Sequence, residues 1–436
     1  MINENQECAE YYLAGRRLMG LYQAWIKDHA GNLIIFFLSV LTLFNPVAHT
    51  TTVREICFYI PLLLFILLLL TNRKGMFFFR TPLFIPTVLF SAWAVFGLFF
   101  ALDKSNSWHD IYSLLFRYSI LAVLIVSFFW NEKKMRLLSW LITISLVSFV
   151  SYALIKFYFV TDFDFGVRFY GNSEGMTQNL INIPIIFSCF LIYCNLVDTN
   201  KLYLRLLYLL LYIPLISALI LTQSRSSWAA LIISGLFFSF LCREKKIVIL
   251  LVILAVIASF SPLKGRFLNG DLTKDPRLTH ALLVLEVVKD HPFIGIGFGM
   301  ETFGKSLDLG IYLQRMERVY GVKYHHVEIL SDPHNLFTDV LVRTGFVGFG
   351  LFLWFFFCLF RMLWEVGRGE NIARQIWAIG IASSLISFLI IGFFEPVFSH
   401  VQVYYLTLMI SFVSILWKQH GFEKDYFDMV GEYSRI

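Results

Sequence analysis

Long apolar runs separated by short polar connections dominate the chain. About twelve of these runs approach the roughly 20 residues that a helix needs to cross a bilayer, which predicts an all-α polytopic membrane protein with about 12 transmembrane helices. The predicted spans are 32–50, 55–71, 82–102, 111–130, 137–160, 179–197, 206–222, 228–242, 247–261, 336–363, 375–394 and 402–417. One long polar segment, from Pro262 to His334, interrupts this pattern.

The composition agrees with a membrane protein. Of the 436 residues, 58% are hydrophobic and 47 are phenylalanine, and the mean hydropathy of +0.70 is far above that of soluble proteins. The net charge of +6 does not indicate a nucleic-acid partner, because the basic residues are scattered in small groups between apolar runs. We therefore expect membrane lipids around the chain and no nucleic acid.

The six cysteines lie in the N-terminal tail or in hydrophobic runs, so neither a disulfide framework nor a cysteine-based metal site is expected. The first 32 residues lack a compact apolar core and a small-residue cleavage site. They do not resemble a removable signal peptide, and we expect the first span to remain in the mature protein.

Lysine and arginine are unevenly distributed between the two sets of connections. One set holds Arg73, Lys74, Arg80, Lys133, Lys134, Arg136, Lys201, Arg205, Arg243, Lys245, Lys246, Arg368 and Arg374, whereas the short connections of the other set hold Arg54, Lys104, Arg168 and Arg225. Because cytoplasmic loops carry the excess of basic residues, both termini are predicted to be cytoplasmic and the long loop external. The predicted organisation is an N-terminal tail (1–31), transmembrane helices 1–9 (32–261), an external loop (262–335), transmembrane helices 10–12 (336–417) and a C-terminal tail (418–436).

The external loop ends in Ser331-Asp332-Pro333-His334-Asn335-Leu336, just where an apolar run begins. We expect Asp332 to cap a helix whose first residue is Pro333, so that His334 lies in the first turn. The unpaired amides and the positive end of the helix dipole there disfavour an imidazolium. A neutral imidazole can accept a proton, which makes His334 a candidate general base.

A second helix is predicted inside the loop. Asp275 followed by Pro276 is a helix start, and apolar residues then recur at helical spacing, at Leu278, Ala281, Leu282, Leu285 and Val288. The chain continues into Gly295-Ile296-Gly297-Phe298-Gly299, a backbone that can bend sharply and approach a ligand closely. This run does not open a helix after a strand, so a nucleotide site is not expected.

Three arginines on the external side are candidates for phosphate binding. Arg225 lies in a tight turn between two spans, where it either snorkels to lipid phosphates or pairs with a loop carboxylate, or else grips a phosphate on a lipid-borne substrate. Arg168 is the one basic residue of another external loop. Arg277 opens the loop helix, with His280 one turn on, and as a lone pair these two would form a solvated face.

Other polar residues have simpler interpretations. The loop histidines, His280, His291, His325, His326 and His334, show no standard zinc-ligand spacing, so no metal site is expected. Asp339 and Arg343, four residues apart, predict an ion pair within one helix. Arg117, inside the fourth span, has no acidic neighbour on its own helix and must find a partner elsewhere or face water.

Four motifs follow one another between about residues 160 and 360: Gln223-Ser224-Arg225-Ser226, Arg277 with the helix after it, His291 to Gly299, and His334-Asn335 followed by Gly345 and Gly348. Their order, around a single large external loop, resembles the O-antigen ligase and polymerase superfamily of bacterial membrane glycosyltransferases. The resemblance implies a GT-C-like bundle with a helical periplasmic loop over a substrate cavity, in the bacterial inner (cytoplasmic) membrane. It also implies a glycan substrate carried on undecaprenyl pyrophosphate.

By this resemblance, His334 matches the family's essential histidine, and Arg225, Arg277 and Arg168 match arginines that bind the pyrophosphate. Displacement of a pyrophosphate requires positive charge near the leaving group. Because the sequence shows no carboxylate cluster for Mg²⁺, the arginines are the available counter-charges, and we expect no metal and no cofactor.

The function implied is that of an O-antigen ligase, which transfers a polysaccharide to a sugar hydroxyl of lipid A core in lipopolysaccharide assembly. An O-antigen polymerase, which joins repeat units on the lipid carrier, is the alternative; one dominant loop favours the ligase. A protein-directed oligosaccharyltransferase is disfavoured by the short C-terminal tail. A lipid or glycan transporter is disfavoured because no internal repeat is visible.

Overall fold

The computed structural model describes residues 29–71, 81–162, 164, 167–171, 177–259, 276–321 and 332–433. These residues form helices joined by turns, with no strand among them. The helices are α1 (His29–Phe44), α2 (Thr51–Thr71), α3 (Phe84–Gly97), α4 (Lys104–Phe128), α5 (Glu132–Val160), α6 (Asn182–Asp198), α7 (Leu202–Leu221), α8 (Arg225–Cys242), α9 (Lys245–Ser259), α10 (Pro276–Asp290), α11 (Thr302–Lys305), α12 (Leu309–Tyr320), α13 (Leu336–Gly367), α14 (Ile372–Phe394) and α15 (His400–Tyr433).

Helices of the described chain match the predicted apolar runs. Eight of them are long and apolar enough to cross a membrane, namely α2, α4, α5, α7, α8, α13, α14 and α15. The shorter apolar helices α1, α3 and α6, together with α9, lie in the remaining runs. The all-helical polytopic architecture is confirmed, whereas the count of twelve spans and the periplasmic position of the loop stay predictions. The last helix continues to Tyr433, well into the predicted C-terminal tail.

Contacts between helix termini show which termini lie at the same end of the bundle. At one end, Asp198 at the close of α6 accepts a hydrogen bond from Trp377 of α14 at 2.9 Å and pairs with Arg136 of α5 at 3.1 Å. At the other end, the Asn335 amide before α13 donates to the carbonyl of Phe393, near the close of α14, at 2.6 Å. We call this second end the loop end, because it carries α10 to α12. In the predicted topology, the connections rich in lysine and arginine lie at the first of these ends, and the long loop lies at the second.

The backbone of α13 is broken at Gly345. This residue has φ 65° and ψ −174°, a conformation that only glycine adopts readily. In an intact helix the Phe346 amide would donate to the carbonyl of Val342. It donates instead to the carbonyl of Pro292, at 2.8 Å, so a residue of the long loop replaces a bond of the helix.

The carbonyls that the break releases are also satisfied by the loop. The carbonyls of Val342 and Arg343 accept from the amides of Ile296 and Gly297 at 2.9 and 3.2 Å. A Cβ at Gly295 would lie 2.4 Å from the Val342 carbonyl oxygen, so only glycine fits there. The close approach that the glycine-rich run makes is therefore to the backbone of α13. Residues 292–297, which we call the insert, fill the broken turn.

The insert continues onto the start of α4. The amide of Leu102, just before α4, donates to the carbonyl of Ile296 at 3.0 Å. The amide of Met300 donates to the Asp110 carboxylate, which is buried, at 2.6 Å. One stretch of the loop thus joins α13 to α4 at the loop end of the bundle.

The loop helix α10 begins at Pro276 as predicted, although Asp275 lies outside the described residues. Its predicted apolar series is partly wrong, because Leu285 is 47% exposed. The buried face is shifted and packs against α12 and α13; it includes His280, Leu283, Val284, Val287 and Val288. The sequence pattern was ambiguous since apolar residues occur on almost every side of this helix.

Polar contacts hold α10 on α12. Arg315 of α12 pairs with Asp290 at 2.8 Å, and this hydrogen bond lowers the pKa of the Asp290 carboxyl. The Glu286 carboxylate accepts from Lys289 and from the Tyr320 hydroxyl, and these bonds, that of Lys289 first, lower its pKa. Because both carboxyl pKa values are depressed in the folded state, the stabilisation is present above their ordinary values and is lost as pH falls through the depressed ones.

Replacing Gly345 with alanine should destabilise the protein. The new Cβ would lie 2.2 Å from the backbone of Phe293, in a conformation that alanine does not tolerate. We expect a loss on the order of 2 kcal/mol or more, seen as a lower midpoint of thermal unfolding of the purified protein in detergent.

Gly350→Ala is the matched control. A Cβ at Gly350, in the same helix, meets nothing within 4 Å, so this variant should be unchanged or more stable by about 0.5–1 kcal/mol. Equal unfolding midpoints for the two variants would contradict the insert as a constraint on the fold.

Candidate active site

His334 lies before α13 and not in its first turn. The helix begins at Leu336, and Asn335 is its N-cap, with its side-chain oxygen accepting from the amides of Phe337 and Thr338 at 2.8 and 3.3 Å. The prediction that Asp332 caps a helix starting at Pro333 is therefore wrong. The physical reason is the backbone of His334, whose left-handed φ of 51° prevents the helix from starting before Asn335.

Asp332 contacts His334 and does not cap a helix. One of its carboxylate oxygens accepts from the His334 amide at 2.9 Å, a local turn that aspartate forms readily. The same oxygen lies 3.1 Å from Nδ1 of the imidazole. When Nδ1 carries the proton and faces the Asp332 carboxylate, Nε2 is unprotonated and its lone pair is available. The His334 side chain is 30% exposed, so a substrate hydroxyl can reach it.

The ring of His334 is stacked on His280 of α10. The two ring centroids are 4.7 Å apart and the planes differ by 12°. His280 is only 4% exposed, so the predicted solvated face is wrong for this residue. Its spacing from Leu283, Val284 and Val287 was the available signal, since positions i, i+3, i+4 and i+7 share one helix face. Stacking and the Asp332 contact together restrict the orientation of the imidazole.

The turn that carries Arg225 has the tight form expected. Gln223 adopts a left-handed φ of 51°, and the Ser224 hydroxyl caps α8 by accepting from the Ser227 amide at 3.3 Å. Arg225 is the first residue of α8 and is partly exposed. Unpaired amides at a helix start favour anions, so they add to the positive potential of its guanidinium.

Arg168 lies against the same turn. Its Nε donates to the carbonyl of Thr222 at 3.1 Å, and the amide of Phe169 donates to the carbonyl of Leu221 at 2.9 Å. Its Nη2 donates to the Asn179 side chain at 3.2 Å. The structure therefore brings two of the three predicted arginines to one place, which sequence separation alone did not reveal.

A polar path links this turn to the region of His334. The Asn179 amide, which accepts from Arg168 on its oxygen, donates through its nitrogen to the Glu395 carboxylate at 2.6 Å. Glu395 follows the last residue of α14, and Phe393 accepts from Asn335. Asn335 is the chain neighbour of His334. The candidate base and the two arginines are thus connected through the end of α14.

Arg277 is placed only by its backbone. It lies in the first turn of α10, three residues before His280, and its side chain is outside the described part of the structure. Its predicted role stays a prediction.

A cavity of about 760 Å³ lies beside Asp332 at the loop end. The predicted ion pair between Asp339 and Arg343 is confirmed at 2.7 Å, is almost fully buried and forms part of the wall. Arg343 also donates to the carbonyl of Phe298, next to the insert, at 3.4 Å. Charged residues from several elements line this space, namely Glu301, Lys305, Asp308, Asp332, Asp339 and Arg343. Such a lining suits a ligand rich in hydroxyl groups.

Among the residues that the structure describes, no three histidine, cysteine, aspartate or glutamate side chains lie together in a way that would hold a metal ion. His325 and His326 are outside those residues. The expectation of a metal-free site stays a prediction.

Comparison with known protein families gives one match to part of the chain. Curated proteins give no match to the chain. A family model described as O-antigen ligase matches residues 210–353, from α7 into α13, past the break at Gly345. The matched region includes Arg225, Arg277 and His334, on which the sequence resemblance was based. Residues 210–353 are therefore similar to the O-antigen ligase family.

Proposed function

We propose that the protein is an O-antigen ligase, which transfers a polysaccharide from undecaprenyl pyrophosphate to a sugar hydroxyl of lipid A core. The observation that carries this proposal is the imidazole of His334, which stacks on His280 and contacts Asp332, a residue in the wall of a cavity with several charged side chains. Two arginines at the same end are linked to it through α14. The family match supports a glycosyltransferase of this kind.

His334 is the general base of the proposed reaction. Its Nε2 takes the proton from the acceptor hydroxyl while Nδ1–H remains with Asp332. The acceptor oxygen then forms a bond to the anomeric carbon of the glycan, and the bond from that carbon to the pyrophosphate oxygen breaks. The electron pair of the broken bond leaves with the pyrophosphate. A single displacement of this kind inverts the anomeric configuration.

The arginines stabilise the leaving group. Negative charge grows on the pyrophosphate as its bond to the sugar breaks, and fixed guanidinium groups stabilise that charge without reorganising. Arg225 supplies this charge from the start of α8, Arg168 from the connection that lies against the turn before α8, and Arg277 from α10. Arg168 is itself held by Thr222 and Asn179, which keeps its position defined.

The loop end faces the periplasm in this proposal, and the protein lies in the bacterial inner membrane with both termini in the cytoplasm. The support comes from the basic residues, which concentrate at the opposite end, in the connections that contain Arg136, Arg205 and Arg374. The carrier and lipid A core would then both reach the cavity from the outer leaflet.

His334→Ala should abolish glycan transfer. Loss of a general base typically lowers turnover by about 10²–10⁴-fold, while carrier binding should be kept. In cells this variant should leave long glycans on the carrier and lipid A core without polysaccharide. Single repeats on lipid A would instead indicate a polymerase. His109→Ala is the matched control, because His109 also contacts an aspartate, at 3.0 Å, but its side chain is 67% exposed.

Asp332→Asn tests the positioning of the imidazole. The amide cannot hold Nδ1–H as the carboxylate does, so we expect kcat to fall by about 10²-fold with KM for both substrates unchanged. Steady-state kinetics with the purified protein measures the two constants separately. An unchanged kcat, or a change confined to KM, would remove Asp332 from the mechanism.

Arg225→Gln should weaken binding of the carrier. A charged hydrogen bond contributes about 1.5–3 kcal/mol, so we expect affinity for undecaprenyl pyrophosphate to fall by about 10- to 100-fold in a direct binding measurement. Arg205→Gln, an exposed arginine at the opposite end, should bind like the wild type. Equal affinities for the two variants would contradict the phosphate role of Arg225.

A further inference from the structure

A second cavity, of about 710 Å³, lies at the loop end among α1, α2, α4 and α15. Its polar lining includes Asn45, Arg54, Glu55, Arg117, Tyr118 and His400. Tyr170 and Thr177, from the connection that carries Arg168, close one side. Ser399 lines both this cavity and the one beside Asp332, so the two cavities are neighbours.

The fixed charges in this cavity do not balance. Arg117 finds its partner on another helix, as the sequence required, because its Nη1 lies 2.8 Å from the Glu55 carboxylate. Its guanidinium is also 5.0 Å from the centroid of the Phe58 ring. Arg54 adds a second guanidinium, whose Nη2 donates to the Thr51 hydroxyl at 3.3 Å. The cavity wall therefore carries two guanidinium groups and one carboxylate, an excess of positive charge that a bound anion would balance.

Two buried donors point to the same conclusion. Nε of Arg54 and Nδ2 of Asn45 are buried and make no hydrogen bond to any described residue. Asn45 is only 7% exposed. A buried donor without an acceptor costs about 1–3 kcal/mol. Since both orphaned groups are donors, the ligand that completes them must be an acceptor, and the excess positive charge favours an anionic one.

The backbone of α4 is shaped to place Arg117 here. Residues Ile111–Phe116 form a π-helical segment directly before Arg117. One extra residue in a turn shifts each later side chain by about 100° around the helix axis. Segments of this kind often occur at functional sites because they re-aim side chains at the expense of regular hydrogen bonding. Here the re-aimed side chain is the one that meets Glu55.

We propose that this cavity binds a phosphate group on a lipid-linked substrate, at a site separate from Arg168 and Arg225. The proposal rests on the function proposed above, because a transferase that joins two lipid-linked molecules must hold both beside one base. Leu41, Phe58 and Leu121 add an apolar wall to the cavity, which suits a ligand that also carries a lipid. Because Ser399 lines both cavities, a molecule bound here would lie next to the cavity beside Asp332.

Two variants with opposite expected effects test this site. Arg117→Gln removes a positive charge and should weaken binding of the phosphate-bearing ligand by about tenfold or more. Glu55→Gln removes the competing carboxylate and should strengthen binding several-fold. Damage to the fold cannot strengthen binding, so Glu55→Gln remains decisive even if Arg117→Gln does not fold. Arg205→Gln is the control and should bind like the wild type.

Binding is measured on the full chain in nanodiscs of neutral phosphatidylcholine, with three probes. The probes are undecaprenyl diphosphate, phosphorylated lipid A core and the same glycolipid after phosphatase treatment. The acceptor is the source of the phosphate if Arg117→Gln weakens and Glu55→Gln strengthens binding of the phosphorylated glycolipid, and neither changes binding of its dephosphorylated form. Opposite shifts for undecaprenyl diphosphate identify the carrier. Wild-type affinity of both variants for all three probes, or shifts in the same direction, would overturn the proposal.

The same measurement separates this proposal from the proposed function. Binding needs no turnover, so opposite shifts would support the anion site even if the wild-type protein transferred no glycan. A wild-type protein that transfers glycan, but whose variants bind every probe normally, would refute the anion site alone.

Discussion

The exchange of backbone hydrogen bonds at Gly345 is the constraint on which the rest of the loop end depends. A helix within a membrane must satisfy its own polar backbone groups, and α13 does so at its break only with the help of the loop. The insert supplies one acceptor to Phe346 and two donors to Val342 and Arg343. Because none of these groups has an alternative partner in an apolar setting, the loop and the helix are held in one register.

This register determines the candidate active site. With residues 292–297 fixed on α13, the preceding helix α10 is brought alongside the start of α13, and His280 stacks on His334. The following residues bind the start of α4, which carries the π-helical segment and Arg117. The base, the polar cavity beside Asp332 and the neighbouring cationic cavity are therefore organised by one stretch of loop, although they come from distant parts of the sequence.

The sequence predicted the helical architecture because apolar runs record burial in lipid directly, and it predicted the Asp339–Arg343 pair because i, i+4 spacing fixes proximity on one helix. It failed at the start of α13, where Asp332 and Asn335 are both good caps and only the backbone of His334 decides between them. The stack of His280 on His334 and the meeting of Arg168 with the α8 turn depend on long-range packing. No local pattern encodes such contacts. The partner of Arg117 on α2 was missed for the same reason.

The proposed chemistry is one direct displacement, with an oriented imidazole as base and fixed guanidinium groups as counter-charges. The stereochemistry of the product tests it most directly. The purified protein, supplied with a carrier-linked glycan of known anomeric configuration and lipid A core in the presence of EDTA, should form a new glycosidic bond of inverted configuration, as determined by NMR. A retained configuration would contradict the account, because it requires two successive displacements and a nucleophile that His334 does not provide.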